Sequence, residues 1–149
     1  METKGGFLIS QIKRLQDRIF EKLLLENGLA LNGGQGRILF VLWKADRLTV
    51  TEIGARTSLA KNTVSIVIDG MVRKGLVERK TNPENRRQSV ISLTAYAKSL
   101  QDRYETVSRK MNLLFYRGFS AEEQQAFERS LSRILDTLRQ AERRQTKKR

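Results

Sequence analysis

Apolar residues recur along much of this chain at intervals of three and four, the spacing that lines one face of a helix. In the first segment Leu8, Ile12, Leu15, Ile19 and Leu23 form such a stripe, widened by Phe20 and Leu24, and Gly28 stands where a helix-ending glycine belongs. Asn32 with Gln35 reads as a capping box for a second helix whose apolar face is Ile38, Leu39, Leu42 and Trp43. Gly33, Gly34 and Gly36 weaken its first turn, which points to fraying or to a close backbone approach there. Thr49 with Glu52 opens a short helix reaching about Arg56, with Ile53 inward. Residues 59–61 bridge to a further helix with Val64, Val67, Ile68 and Met71 inward, ended by Gly75.

The period then changes. Residues 76–80 and 89–93 are β-rich, and the polar connector 81–88 holds the only proline, Pro83, which reads as a turn between antiparallel strands. Thr94 caps a long helix along Leu100, Tyr104, Val107, Met111, Leu114 and Phe115, ended by Gly118. Ser120 with Glu123 is a third capping box, for a last helix along Phe127, Leu131, Ile134, Leu135 and Leu138. The predicted order is helix, helix, short helix, helix, hairpin, helix, helix: a mainly α (α+β) chain with no internal repeat. A head of three short helices and a hairpin cannot cover three long amphipathic ones, so a second subunit is expected on the terminal stripes.

Composition narrows the chemistry. Among 149 residues there is neither cysteine nor histidine, which removes disulfides, thiolate zinc sites and Ser-His or Cys-His triads. No catalytic residue, metal site or cofactor is implied. No apolar run approaches a membrane span and residues 1–10 lack a secretory core, so a cytoplasmic protein is expected. Lys+Arg number 29 against 16 Asp+Glu, a net charge of +13 that calls for a polyanionic partner or serves solubility alone. Six of the basic residues lie between Arg139 and Arg149 against Glu142, and a solvated, fraying basic terminus accounts for them.

The middle of the chain carries the function. A helix pair followed by a hairpin is the winged helix-turn-helix layout, whose second helix presents N-terminal side chains to base edges in the major groove. Those side chains are Lys61, Asn62, Thr63 and Ser65: a guanine reader, an adenine reader and two short hydroxyls. Arg73 and Lys74 follow near the helix end, and Arg79, Lys80, Arg86 and Arg87 decorate the hairpin, suited to phosphates or a minor groove. Any one of these alone is an ordinary solvated residue; their conjunction points to double-stranded DNA. Two rivals stand beside this reading, a constitutive architectural DNA-binding protein and a winged-helix module that binds protein.

These residues resemble the core of the MarR family of bacterial transcription regulators. The matches are Leu48, Thr49, Glu52 and Ile53; Asn62 to Ser65; the Lys-Gly-Leu-Val-Glu-Arg run at 74–79; Arg86 and Arg87 followed by Leu93 and Thr94; and Phe-Ser-Ala-Glu-Glu at 119–123. The resemblance implies a single domain over 1–149, with 32–93 as the winged head, 7–28 and 94–144 as dimerisation helices and 145–149 as a basic tail. It further implies a homodimeric repressor on a pseudo-palindromic operator, with Arg87 as the minor-groove side chain. Members often respond to a small aromatic or anionic effector; its site is not assigned here, although Trp43, Tyr96, Tyr104, Phe115 and Tyr116 are cavity-lining aromatics as readily as core. Four positions depart from the family pattern. Asn82 and Asn85 stand where wing aspartates are usual. Ala60 replaces a serine cap, leaving helix amides open to a phosphate or to Ser58. Ile66 occupies a position commonly polar or basic, either touching a thymine methyl or facing solvent.

Overall fold

In the computed structural model, which describes residues 2–148, helix α1 spans Gly5–Glu26 and α2 Gly33–Lys44. The two-residue strand β1, Leu48–Thr49, leads into α3, Val50–Thr57, and α4, Lys61–Arg73. Strands β2, Val77–Asn82, and β3, Asn85–Leu93, form the hairpin; α5, Ala95–Ser99, α6, Gln101–Phe115, and α7, Ala121–Lys147, complete the order. The chain divides between Met111 and Asn112 into two compact units.

Helix boundaries follow the capping chemistry. Asn32, Thr49 and Ser120 each accept a hydrogen bond from the backbone three residues on and complete reciprocal capping boxes with Gln35, Glu52 and Glu123. α1 and α4 end in the same way. Gly28 (φ +78°) and Gly75 (φ +73°) take the left-handed conformation, and the next residue's amide bonds back to the last turn: Leu29 to the Leu24 carbonyl at 2.8 Å, Leu76 to the Met71 carbonyl at 2.9 Å. Both leucines are buried beside the residue they reach, so each turn is also a hydrophobic contact.

The core of the first unit joins α2, α3, α4 and the sheet through Ile38, Leu42, Ile53, Val64, Ile68 and Ile91, all fully buried. The sheet order is β1-β3-β2, antiparallel throughout, with Leu48 opposite Ile91 and Val77 opposite Leu93. Leu93 N–H donates to Asp46 Oδ1 (2.9 Å), and Thr94 Oγ1 donates to the Gly75 carbonyl (2.7 Å) while accepting from Ala97 N–H (3.1 Å). The helix cap and the strand end are therefore one hydrogen-bonded joint.

Four expectations change. β1 is an additional strand, too short to show alternation. The connector 81–88 is mostly ladder: pairing runs to Thr81 opposite Ser89, a bulge follows, and Pro83 and Glu84 alone separate the strands. The helix expected after Thr94 is interrupted at Leu100, whose amide bonds to Ala97 three residues back (3.2 Å). That tighter turn puts the buried Ala97 and Leu100 on one side. The basic terminus does not fray at 139–144: α7 continues to Lys147, so residues 145–147 of the expected tail are helical, and Arg149 lies outside the described residues.

Close approach accounts for Gly34 and Gly36 but not for Gly33, around which a Cβ would meet nothing nearer than 3.7 Å. A Cβ on Gly36 would stand 3.2 Å from the Tyr104 hydroxyl and 3.3 Å from its ring. Tyr104 sits edge-on to Phe20 (centroids 5.5 Å) and against Trp43 (4.9 Å), whose indole N–H donates to the Ala97 carbonyl at 3.1 Å. In the second unit Phe115, Tyr116, Phe119 and Phe127 pack together around the turn before α7, and the Tyr116 hydroxyl donates to Glu128 at 3.0 Å.

Burial pushes the Tyr104 phenol up to about 12 from an ordinary 10.0, opposed in part by the nearby Arg37 charge. A phenol harder to ionise when folded stabilises the native state fully below pH 10.0 and loses that contribution as pH rises toward about 12. Absorbance titration of the native protein is expected to show a tyrosine step near pH 12. Tyr104→Phe should remove that step and flatten the alkaline fall in stability; a Phe variant with an unchanged titration would refute the assignment.

Candidate nucleic-acid interface

α4 divides its side chains by period. Val64, Ile68 and Met71 are fully buried, whereas Lys61, Asn62, Thr63, Ile66, Asp69 and Arg73 are exposed, with Ser65 half-buried beside them. The expected reading residues Lys61, Asn62 and Thr63 thus occupy the exposed first turn, and Ser65 flanks them. Ala60 precedes this turn with no side-chain hydrogen bond to the helix. Its extended conformation (φ −62°, ψ 145°) still lets its carbonyl accept from Val64 N–H at 3.0 Å. Thr57, not Ala60, orders the approach: its hydroxyl donates to the Ile53 carbonyl (2.7 Å) and accepts from Leu59 N–H (3.3 Å).

The hairpin tip is shaped by asparagine. Asn82 Oδ1 accepts from Glu84 N–H at 3.0 Å, and its amide donates to Gln88 Oε1 at 3.2 Å. Asn85 Oδ1 accepts from Arg87 N–H at 3.1 Å. These local bonds hold the turn without a carboxylate, so the tip keeps the positive charge of Arg86 and Arg87. Both arginines are exposed, and as successive strand residues they point to opposite faces. No carboxylate lies within ion-pairing distance of Lys61, Arg73, Arg86 or Arg87 among the described residues.

Three of the expected cations have partners within the chain. Arg79 Nη2 pairs with Asp69 Oδ1 at 2.7 Å, tying β2 to α4. Asp69 is the carboxylate on the exposed face of α4, so this pair neutralises the charge least suited to a polyanion. Lys74, the last residue of the α4 turn, donates from Nζ to the Ala30 carbonyl and to Gln35 Oε1, both at 3.0 Å. Gln35 is the buried polar side chain of this unit, and its Oε1 also accepts from Asn32 N–H at 3.3 Å. The ammonium therefore joins the end of α4 to the start of α2, a role that spacing alone does not reveal. The exposed Glu78 lies 3.7 Å from Lys80.

The five aromatics weighed as cavity residues fall in different surroundings within their own units. Trp43 and Tyr104 pack in the first unit, Phe115 and Tyr116 in the second, and Tyr96 is exposed. A cavity of about 300 Å³ does touch Tyr96, between Leu29, Leu31, Leu76, Leu100 and Lys74. Among the described residues no group of three or more acidic side chains is placed to hold a metal ion, and no helix is long and apolar enough to cross a membrane.

Known proteins share this arrangement. The MarR family model matches residues 31–89, which take in α2, α3, α4 and nearly all of the hairpin. The HTH-type transcriptional repressor YetL of Bacillus subtilis is 30% identical over 118 residues, covering 74% of this chain and 68% of YetL. A MarR mutant of Escherichia coli, solved in complex with operator DNA, superposes with a TM-score of 0.79 at 24% identity, over 87% of this chain and 92% of that one. BpsR of Bordetella bronchiseptica, whose DNA binding is regulated by 6-hydroxynicotinic acid, superposes with a TM-score of 0.80 at 19% identity, over 88% and 92%. The winged helix-turn-helix fold is shared with both, and the matching sequence runs through the helix pair and the wing. The chain belongs to the MarR family of DNA-binding transcription regulators, which are not enzymes.

Proposed function

We propose that this protein is a cytoplasmic repressor that binds a pseudo-palindromic operator in double-stranded DNA as a homodimer. The observation that carries this reading is the exposed first turn of α4 beside a wing tip whose two arginines have no acidic partner. Lys61, Asn62, Thr63 and Ser65 read base edges; Arg73 and Arg86 meet phosphates; Arg87 enters the minor groove. Arg79 supports the face by neutralising Asp69, and Lys74 is set apart because its ammonium is engaged by Ala30 and Gln35. The head at 32–93 is carried by dimerisation helices at 7–28 and 94–144. The apolar residues left exposed on α1 (Phe7, Leu8, Ile12, Leu15) and α7 (Ile134, Leu138) are the surface a second copy covers. By analogy with BpsR, a small aromatic or anionic effector relieves repression.

Selection of bound genomic duplexes by the purified protein is expected to return an inverted repeat, and sedimentation at micromolar concentration to give twice the chain mass. A monomer that binds tightly, or a pool with no common sequence, would overturn the reading. On the selected operator, Asn62→Ala is expected to cost about 1–3 kcal/mol and little on random duplex. Arg87→Ala should weaken both more evenly and flatten the salt dependence by about one counterion per chain; affinities left unchanged in both contexts would exclude the wing.

The Asp69–Arg79 pair gives a separate test. Arg79→Ala exposes a carboxylate to the phosphates and is expected to weaken all duplex binding on the order of fivefold, ~1 kcal/mol. Adding Asp69→Asn should restore most of that loss. If the double variant binds as weakly as the single one, Arg79 touches DNA itself.

A further inference from the structure

The exposed face of α4 carries at its centre an apolar residue that the polar reading leaves unused. Ile66 is 70% exposed, in the second turn of the helix, while Val64 and Ile68 on either side are fully buried. A β-branched residue gains nothing in helix propensity over the alternatives, and an apolar side chain left in water gains nothing from folding. Its position is therefore not explained by the stability of this chain. Asn62 lies four residues before it and Thr63 three, so all three share a face. The next group along that face, Asp69, has its charge met by Arg79. The centre of a face otherwise built for a polyanion is thus apolar, and the one apolar group a base pair shows in the major groove is the C5-methyl of thymine.

We propose that Ile66 reads a thymine through its C5-methyl, one or two base pairs from the base contacted by Asn62. The spacing follows from the helix: four residues advance about 6 Å at 1.5 Å each, against about 3.4 Å per base step. The contact sets specificity by shape and desolvation rather than by hydrogen bonding, so its signature is sensitivity to one methyl group. The inference rests on the regulator reading above.

The test replaces each operator thymine in turn by deoxyuridine, which removes the C5-methyl and keeps every hydrogen-bonding group. Anisotropy titrations then compare the native chain with Ile66→Ala and Ile66→Val. One position per half-site is expected to cost the native chain about fourfold, the worth of one buried methyl. The same replacement should cost Ile66→Ala nothing and Ile66→Val an intermediate amount. Ile66→Ala should melt with the native protein, since the side chain is exposed. Uracil sensitivity that is the same in the native chain and Ile66→Ala overturns the proposal, as does a loss of self-association in Ile66→Ala, which would assign the residue to a protein contact. Failure of the underlying reading looks different: the native chain would then not separate operator from scrambled duplex before any thymine is changed.

Discussion

Ile91, fully buried near the end of the central strand β3, faces Leu48 of β1 on one side and Arg79 of β2 on the other, and the head is organised about that strand. Both neighbours have their registers set by it. Its last amide is held by Asp46 from the α2–β1 connection, and the next residue, Thr94, bonds back to Gly75 while capping α5. A one-residue slip in β3 would turn Ile91 and Leu93 toward solvent, so the pairing is specified by burial. Everything the head presents to a partner is placed by this register: the arginines at the far end of β3, and α4 through the Arg79–Asp69 pair.

Within that frame the two contact elements are held by different physics. α4 is positioned from behind, by Val64, Ile68 and Met71 in the core and by the Lys74–Gln35 bond at its end. The wing has no core of its own beyond Ile91. Its tip is ordered by backbone pairing and by Asn82 and Asn85, bonds made within a few residues and accessible to water. α4 is accordingly the firmer of the two and the wing tip the more compliant, which suits the proposed contacts with base edges and with a groove of variable width.

Local chemistry was legible in the sequence. The three capping boxes, the glycines at 28 and 75 and the apolar faces of α2, α4 and α7 stand where their residues indicate, because each depends on neighbours three or four positions apart. The wing was underestimated for a physical reason: Thr81, Arg86 and Arg87 lie beyond the core, so their strand shows no alternation to read. The end of α7 is hard to read because a run of basic residues resembles a solvated terminus, yet nothing after Gly118 breaks a helix and α7 continues to Lys147. Lys74 was out of reach altogether. Its partners, Ala30 and Gln35, lie 44 and 39 positions away, and only the packing of α2 on α4 brings them to its ammonium.

The turn at Gly75 has a mechanical consequence. α4 ends in a closed hydrogen-bonded loop whose last leucine is buried against Met71, and β2 begins one residue later. Thr94 grips the same loop from β3. α4 and the base of β2 therefore share a pivot with little slack, and their relative orientation at that end is set by the loop. A displacement of β3 at Thr94 is thus carried directly to the end of α4, whereas the tip beyond Thr81, held by local bonds, can shift without it.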